Sequence, residues 1–576
     1  MRKQLLRGAS VFTVGVVSLA LSATSVSAGG ADYQPPEGGG KHGADVVAIV
    51  DQVAANTNST RQSSSATVDN QQKNWNSPLS LFTVGSGSGG GGGYSACGCD
   101  EHPSGGGVNQ SNDADNEARS ATINWTDQSI AQSATADATG VVQGGGWHGS
   151  EPSGGYGSPH PKPDDCGCYP GPKPNPKPDH CGCDDGHKPG GGDTVATVDQ
   201  AAGNDNSTDQ SSSATVDNHQ KNWNSPVSIG TIGSGGGYGD GCGCDEHSSG
   251  GVDQSNSADN TAKSETVNGT DQSIVQDGQA SASSESDGGY ESKPSHGHKP
   301  GCGCDGGGQP TGGGDTVATV GQHGANDNST TQDSSATVDN RQTNINLPIT
   351  LFSVGSGNGD VSQGNEADNT AKSVAVNGTD QSVDQTGNAE ATSESDCGCG
   401  GGGGGDTVAA VEQYGSNDNS TDQHSSAVVD NNQTNVNVPI TLFSVGSGNG
   451  DVTQGNEADN TAKSTTTNAT DQSVDQSGDA TATSESDCGC GGGGDTVASV
   501  AQQAGNSNET VQDSSADVTN DQLNVNAPIT LFSVGSGNGD VDQSNTASNT
   551  ATSSTANGTS QGITQAGSAV GSMLGG

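Results

Sequence analysis

One segment recurs five times along this chain, and that repetition limits the fold more than any other feature. DTVATVDQAAGNDNSTDQSSSATVDN begins at Asp193, and related copies begin near Asp45, Asp315, Asp406 and Asp495. Each copy is followed by a second segment of the kind VSQGNEADNTAKSVAVNGTDQS. Tandem copies of one supersecondary unit gain order by stacking on one another. An elongated structural or interaction protein is therefore expected.

Inside each unit the pattern alternates with period two, as in Val320-x-Gln322, Ala336-x-Val338 and Ile349-x-Leu351. That is the signature of strands. Runs of apolar residues at helical spacing are missing after the N-terminal region. Asn-Gly, Asn-Asp and Ser-Gly steps predict tight turns at short intervals. The expected class is all-β: tandem β-solenoid-like modules separated by disordered Gly/Pro-rich linkers. With about two coils per half unit at ~4.8 Å per layer, the ten halves would span on the order of 100 Å along the stack.

Composition decides what sort of core is possible. Leu, Ile, Val and Phe fall below about a fifth of the residues, a level that with high net charge also fits a disordered chain. A thick globular core is excluded. A thin one remains, in which Val and Ala face inward while amide and hydroxyl side chains form ladders.

The organisation reads as an N-terminal signal segment (1–28), a disordered stretch (29–43) and five units at 44–139, 193–286, 315–396, 406–487 and 495–570. Linkers occupy 140–192, 287–314, 397–405 and 488–494, and 571–576 is a tail. Pro-rich strings in 140–192 favour an extended, semi-rigid spacer. The signal segment has a basic start (Arg2, Lys3, Arg7), an apolar stretch from Val11 to Leu21 and a small-residue cleavage site, Val26-Ser27-Ala28. Its apolar run is about half the ~20 residues a membrane span needs. The expected location is therefore extracellular, at the cell surface or cell wall. Removing it leaves 15 basic residues against 67 acidic ones, a net charge of −52. Nucleic acid would repel such a chain. The expected partners are copies of itself or extracellular surface components, with weak association of divalent cations.

All fourteen cysteines fall in CGC triplets. The pairs are Cys97 and Cys99, Cys166 and Cys168, Cys181 and Cys183, Cys242 and Cys244, Cys302 and Cys304, Cys397 and Cys399, and Cys488 and Cys490. Each pair lies at a joint between units or between halves. In an exported protein, bridges between triplets would staple neighbouring modules. The competing role is metal binding, with Cys166, Cys168, Cys181 and Cys183 as candidate ligands for tetrahedral zinc, although their C-x-C spacing departs from the usual C-x2-C. Asn-x-Ser/Thr recurs in every half, at Asn58, Asn206, Asn328, Asn419 and Asn508, then at Asn124, Asn268, Asn377, Asn468 and Asn557. These are read as ladder or turn residues, with glycosylation as the alternative. GSGNGDV at Gly355, Gly446 and Gly535 misses the register of calcium-binding β-rolls. Motifs of hydrolases, zinc proteases, P-loop and dinucleotide enzymes are lacking, so no catalytic residue and no cofactor are expected.

The Gln-x-Gly and Asn spacing resembles the repeats of curlins, secreted subunits of bacterial amyloid fibres. Gln503, Gly505 and Asn508 match the pattern. Its start is matched by Gln322 with Gly324, Gln413 with Gly415, Gln385 with Gly387, Gln476 with Gly478 and Gln565 with Gly567. The Asn-flanked apolar residue followed by PITLFSV is similar to secreted actinobacterial surface proteins such as rodlins and chaplins. Curlin subunits are far smaller and lack the CGC joints and this charge. The resemblance implies an exported β-rich building block. The functional expectation is a secreted, non-enzymatic structural or matrix protein that self-assembles by β-stacking. The alternatives are a surface-binding module for polysaccharide or ice, and a disordered Cys-rich metal-binding protein.

Overall fold

The structure is a computed structural model. It describes residues 45–82, 107–143, 192–230, 251–287, 313–352, 354, 359–396, 404–446, 450–486, 494–535, 537 and 539–575. These form an all-β, solenoid-like stack of five U-shaped layers, one per sequence repeat. The first arms are β1 (Val46–Asn76), β4 (Thr194–Asn224), β7 (Thr316–Asn346), β10 (Thr407–Asn437) and β13 (Thr496–Asn526). The return arms are β3 (Val108–Gln143), β6 (Val252–Asp287), β9 (Val361–Asp396), β12 (Val452–Ser486) and β15 (Val541–Gly575). Between the arms sit β2 (Leu79–Leu81), β5 (Val227–Ile229), β8 (Ile349–Leu351), β11 (Ile440–Leu442) and β14 (Ile529–Leu531). Each set forms a five-stranded parallel sheet in sequence order.

Pairing is in register throughout, so each residue lies on its counterpart in the next unit. Val198 pairs Val320, which pairs Val411, which pairs Val500. The inward face explains this. Reading every second residue of β7 from Thr316 gives T-A-V-Q-G-N-N-T-Q-S-A-V-N-Q-N-N, and β10 repeats it without change. The other three first arms differ only at the fifth position, where they carry Ala, and in β1 also at the first, where Val46 replaces Thr. Because side chains alternate across a strand, a slip by one residue would bury the charged outward set.

Three narrow apolar bands cross the interior. One combines Ala196 and Val198 with Ala280 and Ala282. A second joins Ala214 and Val216 to Ala262. The third joins Ile274, Val383 and Val474 to Ala202. Between them lie amides, and the largest fully buried side chains apart from Ile274 are glutamines such as Gln210, Gln272 and Gln332. These amides hydrogen-bond along the stack. Asn328 Nδ2 donates to Asn419 Oδ1 at 2.6 Å and accepts through Oδ1 from Asn206 at 2.6 Å.

The turn chemistry expected inside each half is not used. Each arm is one unbroken strand of 31 to 36 residues, and steps such as Asn268-Gly269 and Asn326-Asp327 are fully extended within β6 and β7. The buried Asn is held in its ladder, which outweighs its local preference for a turn. Each unit therefore adds one layer, not about four. The ~100 Å dimension runs along the strands, at ~3.3 Å per residue, and the stack is only ~20 Å deep. The final strand also runs to Gly575, so most of the expected tail belongs to β15. The signal segment, the 29–43 stretch and most of the linkers lie outside the described residues. Among the described residues no helix is long and apolar enough to cross a membrane.

Truncating a central rung should cost more than truncating a terminal one. Asn328→Ala leaves one N–H of the buried Asn206 amide and the Asn419 Oδ1 acceptor without their ladder partner, an expected loss of about 2–5 kcal/mol. Asn58→Ala interrupts only one rung, to Asn206, and should cost less than half as much. Chemical denaturation of the two variants measures the difference.

Candidate assembly interface

The functional geometry lies in how the arms interlock and how the stack ends. The two long sheets face each other with a half-layer offset. β3 packs between β1 and β4, β6 between β4 and β7, and so on to β12 between β10 and β13. Gln276 of β6 accordingly donates to the carbonyls of Gln200 in β4 (3.1 Å) and His323 in β7 (3.2 Å). A continuous asparagine chain threads the same path. Asn222 donates to Asn256, Asn256 to Asn344, Asn344 to Asn365, Asn365 to Asn435 and Asn435 to Asn456, each at 3.0–3.1 Å.

The offset leaves two unlike ends. β1 packs on one return arm only, β3, and β15 on one first arm only, β13. Nearly all of β15 is exposed, including inward positions such as Ile563. Among the described residues, both ends are open edges whose backbone and amide rungs have no further layer beyond them. Such edges are templates for pairing with another strand.

The sequons sit in the interlock. Asn206 Nδ2 reaches Thr270 Oγ1 across the sheets at 3.2 Å, and Asn268 Nδ2 reaches Thr330 Oγ1 at 3.3 Å. The ladder reading of these Asn-x-Thr motifs therefore holds, and in the inner layers burial closes them to modification. Of the curlin-like residues, Gln322, Gly324, Gln413 and Gly415 face inward. Gln503 and Gly505 face outward, and the ladder is occupied there by Gln502, bonded to Gln413.

At the bend, a proline (Pro226, Pro348, Pro439) supplies a carbonyl to the next layer but no N–H, which ends the long strand. Phe82, Phe352, Phe443 and Phe532 then adopt φ of 49–55°, a left-handed conformation unfavourable for a bulky residue. Phe352, Phe443 and Phe532 stack at 5.0–5.2 Å between centroids. The second unit has Gly230 at this place, and the Phe82 ring lies so close that a Cβ there would sit 2.7 Å from it. The result is an exposed apolar ridge along the bend. Trp75 and Trp223, the Asn-flanked apolar residues, stack outward at 5.2 Å.

Charge is confined to the outward faces, where in-register stacking aligns it. Asp205, Asp327 and Asp418 form one row and Asp259, Asp368 and Asp459 another. Partial burial, reinforced by the acids above and below, raises the pKa of Asp327, Asp368 and Asp380. Asp217, His219 and Asp339 cluster on one outward patch, and Asp333, His424 and Asp513 line a shallow polar groove. In that groove His424 pairs with Asp422 at 3.2 Å.

None of the fourteen cysteines is among the described residues. The candidate zinc ligands Cys166, Cys168, Cys181 and Cys183 lie outside the described residues. So do the remaining staple candidates Cys97, Cys99, Cys242, Cys244, Cys302, Cys304, Cys397, Cys399, Cys488 and Cys490. Among the described residues, the register is held by amide ladders and backbone pairing. Most of GSGNGDV at Gly355 also lies outside the described residues.

Comparison with protein-family models, with curated proteins and with solved structures gave no match.

Stability should rise on acidification. The folded state holds protons on Asp327, Asp368 and Asp380 at a pH where the unfolded chain, near the ordinary aspartate value of 3.8, has released them. Stability therefore climbs as pH falls from neutrality through the raised values, and flattens below 3.8. Thermal melts across that range should show this slope, and the D327N/D368N/D380N variant should show a shallower one.

Proposed function

We propose that this chain is an exported, non-enzymatic structural repeat protein of the cell surface or extracellular matrix, which self-associates by β-stacking. One observation carries the reading: among the described residues, the rule that joins unit to unit, in-register parallel pairing with laddered amides, stops at both ends with no further strand on either edge. Terminal repeats of stacked proteins are usually capped by atypical, polar units. Here the first arms of units 1 and 5 carry nearly the same inward sequence as the middle units. Inward side chains of the stack are engaged with each other, which leaves little convergent chemistry for catalysis. The outward rows of the described residues mix Asp, Glu, Lys, Ser and Thr; the Thr row Thr261, Thr370, Thr461 and Thr550 runs between a row led by Asp and a row led by Lys, which is unlike the uncharged multi-row Thr array of a flat ice- or glycan-binding face.

The test uses the chain without residues 1–28. Circular dichroism should show β-structure with and without zinc. Thioflavin fluorescence and electron microscopy should reveal fibres above a threshold concentration. A β-folded chain that stays monomeric at every concentration contradicts self-assembly, and structure that forms only with zinc contradicts the reading as a whole.

A further inference from the structure

The two ends of the stack differ in chemistry as well as shape, and the difference fits one partner. We propose that a second copy of this chain docks its unit 1 onto unit 5, giving polar, head-to-tail growth. This rests on the self-association reading and adds the surface, the partner orientation and the electrostatic feature that permits it.

The first observation is the direction of the ladders. Asparagine rungs donate toward unit 5: Asn204 to Asn326, then Asn417, then Asn506. Glutamine rungs donate the opposite way: Gln502 to Gln413, then Gln322, then Gln200. The return arms follow the same rule, with Asn456 donating to Asn545 and Gln561 to Gln472. The unit 5 end therefore offers Asn N–H donors and Gln carbonyl acceptors. The unit 1 end offers Asn acceptors and Gln donors. Unit 5 against unit 1 matches every rung, whereas unit 5 against unit 5 sets donor on donor. The half-layer offset makes the same selection, because β15, which packs on β13 alone, would then lie between β13 and β1 of the second copy, as β12 lies between β10 and β13.

The second observation is charge. β12 carries Glu457, Asp459, Asp471, Asp475, Asp479 and Glu485, but β15 carries a single acid, Asp542. The residues paired to the first three are Thr546, Ser548 and Ser560. Continuing the register by one layer sets them on Asp113, Asp115 and Asp127 of the second copy. In the interior, like-charge rungs such as Asp259 on Asp368 are held together by the covalent chain. A junction between molecules lacks that tether, and there the return-arm rungs have acids on one side only, on β3 and not on β15. Heterologous contacts repeat head to tail, and where the rotation between copies does not close a ring they build open filaments.

Two variants of opposite sign test the junction. T546E/S548D/S560D restores like-charge rungs, and T546K/S548K/S560K sets cations between the acids of β12 and those of the second copy. All three positions face outward. Fibre formation is followed by sedimentation and electron microscopy of the chain lacking residues 1–28. At low salt the acidic set should raise the critical concentration by about tenfold or more, and ~1 M salt should remove most of that penalty. The lysine set should lower it. Circular dichroism of both soluble variants checks that the stack is retained. If both sets raise the critical concentration equally, or neither moves it while the parent forms fibres, the proposed junction is wrong though self-association stands. A parent chain that never associates removes the self-association reading itself and this junction with it.

Discussion

A buried side-chain amide must find both a donor and an acceptor, and this requirement organises the whole molecule. An isolated buried Asn or Gln would cost several times what a satisfied one returns. The simplest solution is to place an identical amide ~4.8 Å above and another below, so that each N–H meets the next C=O. That solution forbids register slips, because a slipped layer would set Asn against Val. It also forces repetition. The inward residues of the five first arms are almost the same string, while their outward neighbours vary freely, as where Tyr414 lies between His323 and Gln503. The repeat is visible in the chain because the inward Asn and Gln rungs must recur at the same positions in every layer, while only a few inward positions between them vary, such as Ala375 against Thr466.

This also shows which parts of the fold were legible from residues alone. Period-two alternation, five units, inward Val and Ala, and laddered amides all follow from pattern and composition, and the structure has them. The number of layers did not follow. Asn-Gly and Asn-Asp steps favour turns in isolation, but Asn268 and Asn326 are committed to ladders, and the tertiary contact overrides the local preference. A sharper signal was available: reading every second residue across units separates an inward string that repeats almost without change from an outward string that drifts, and an unbroken match of 16 inward positions in β7 and β10 points to a single straight strand. The half-layer offset was out of reach, since it arises from side chains of one sheet seeking carbonyls on two strands of the other. The cysteines, the most conspicuous candidates in the sequence, belong to joints outside the described stack.

Charge divides the surface into zones with different consequences for association. The outward faces of the long sheets are acidic, so two stacks brought face to face repel each other, and a flat β-face is protected from indiscriminate stacking. The inward faces carry no charge at all. The described part of the bend, the short strands and the phenylalanines after them, is uncharged and largely apolar, with Phe352 and Phe443 held in a strained left-handed conformation and stacked on one another. Strain of this sort persists only when the surroundings impose it. Here the proline row ends the sheet, and the phenylalanine turns the chain back toward its return arm. The acids that protect the faces weaken the stack along its axis, because the same register that aligns amides aligns carboxylates. The pKa of Asp380, raised first by burial and then by Asp271 and Asp471, records that conflict within one row.

A one-dimensional stack has an energetic asymmetry between its middle and its ends. Each interior layer satisfies its rungs on both sides, whereas the end layers satisfy one side only, and that deficit is the same whether the stack has five layers or fifty. The inner arms β4, β7 and β10 bury nearly all their inward residues, while β13 half-buries its own and β15 exposes them. With five layers, the two ends are a large part of the whole. Adding layers is therefore the most direct way to raise the average stability per unit. A chain can add layers by lengthening itself, which the Gly-rich joints accomplish within one molecule, or by recruiting copies. Recruitment has the entropic cost of bringing separate molecules together, so it must start from an interface with fewer opposing charges than the tethered ones. Within the return arms, the only layer that meets this condition is the last.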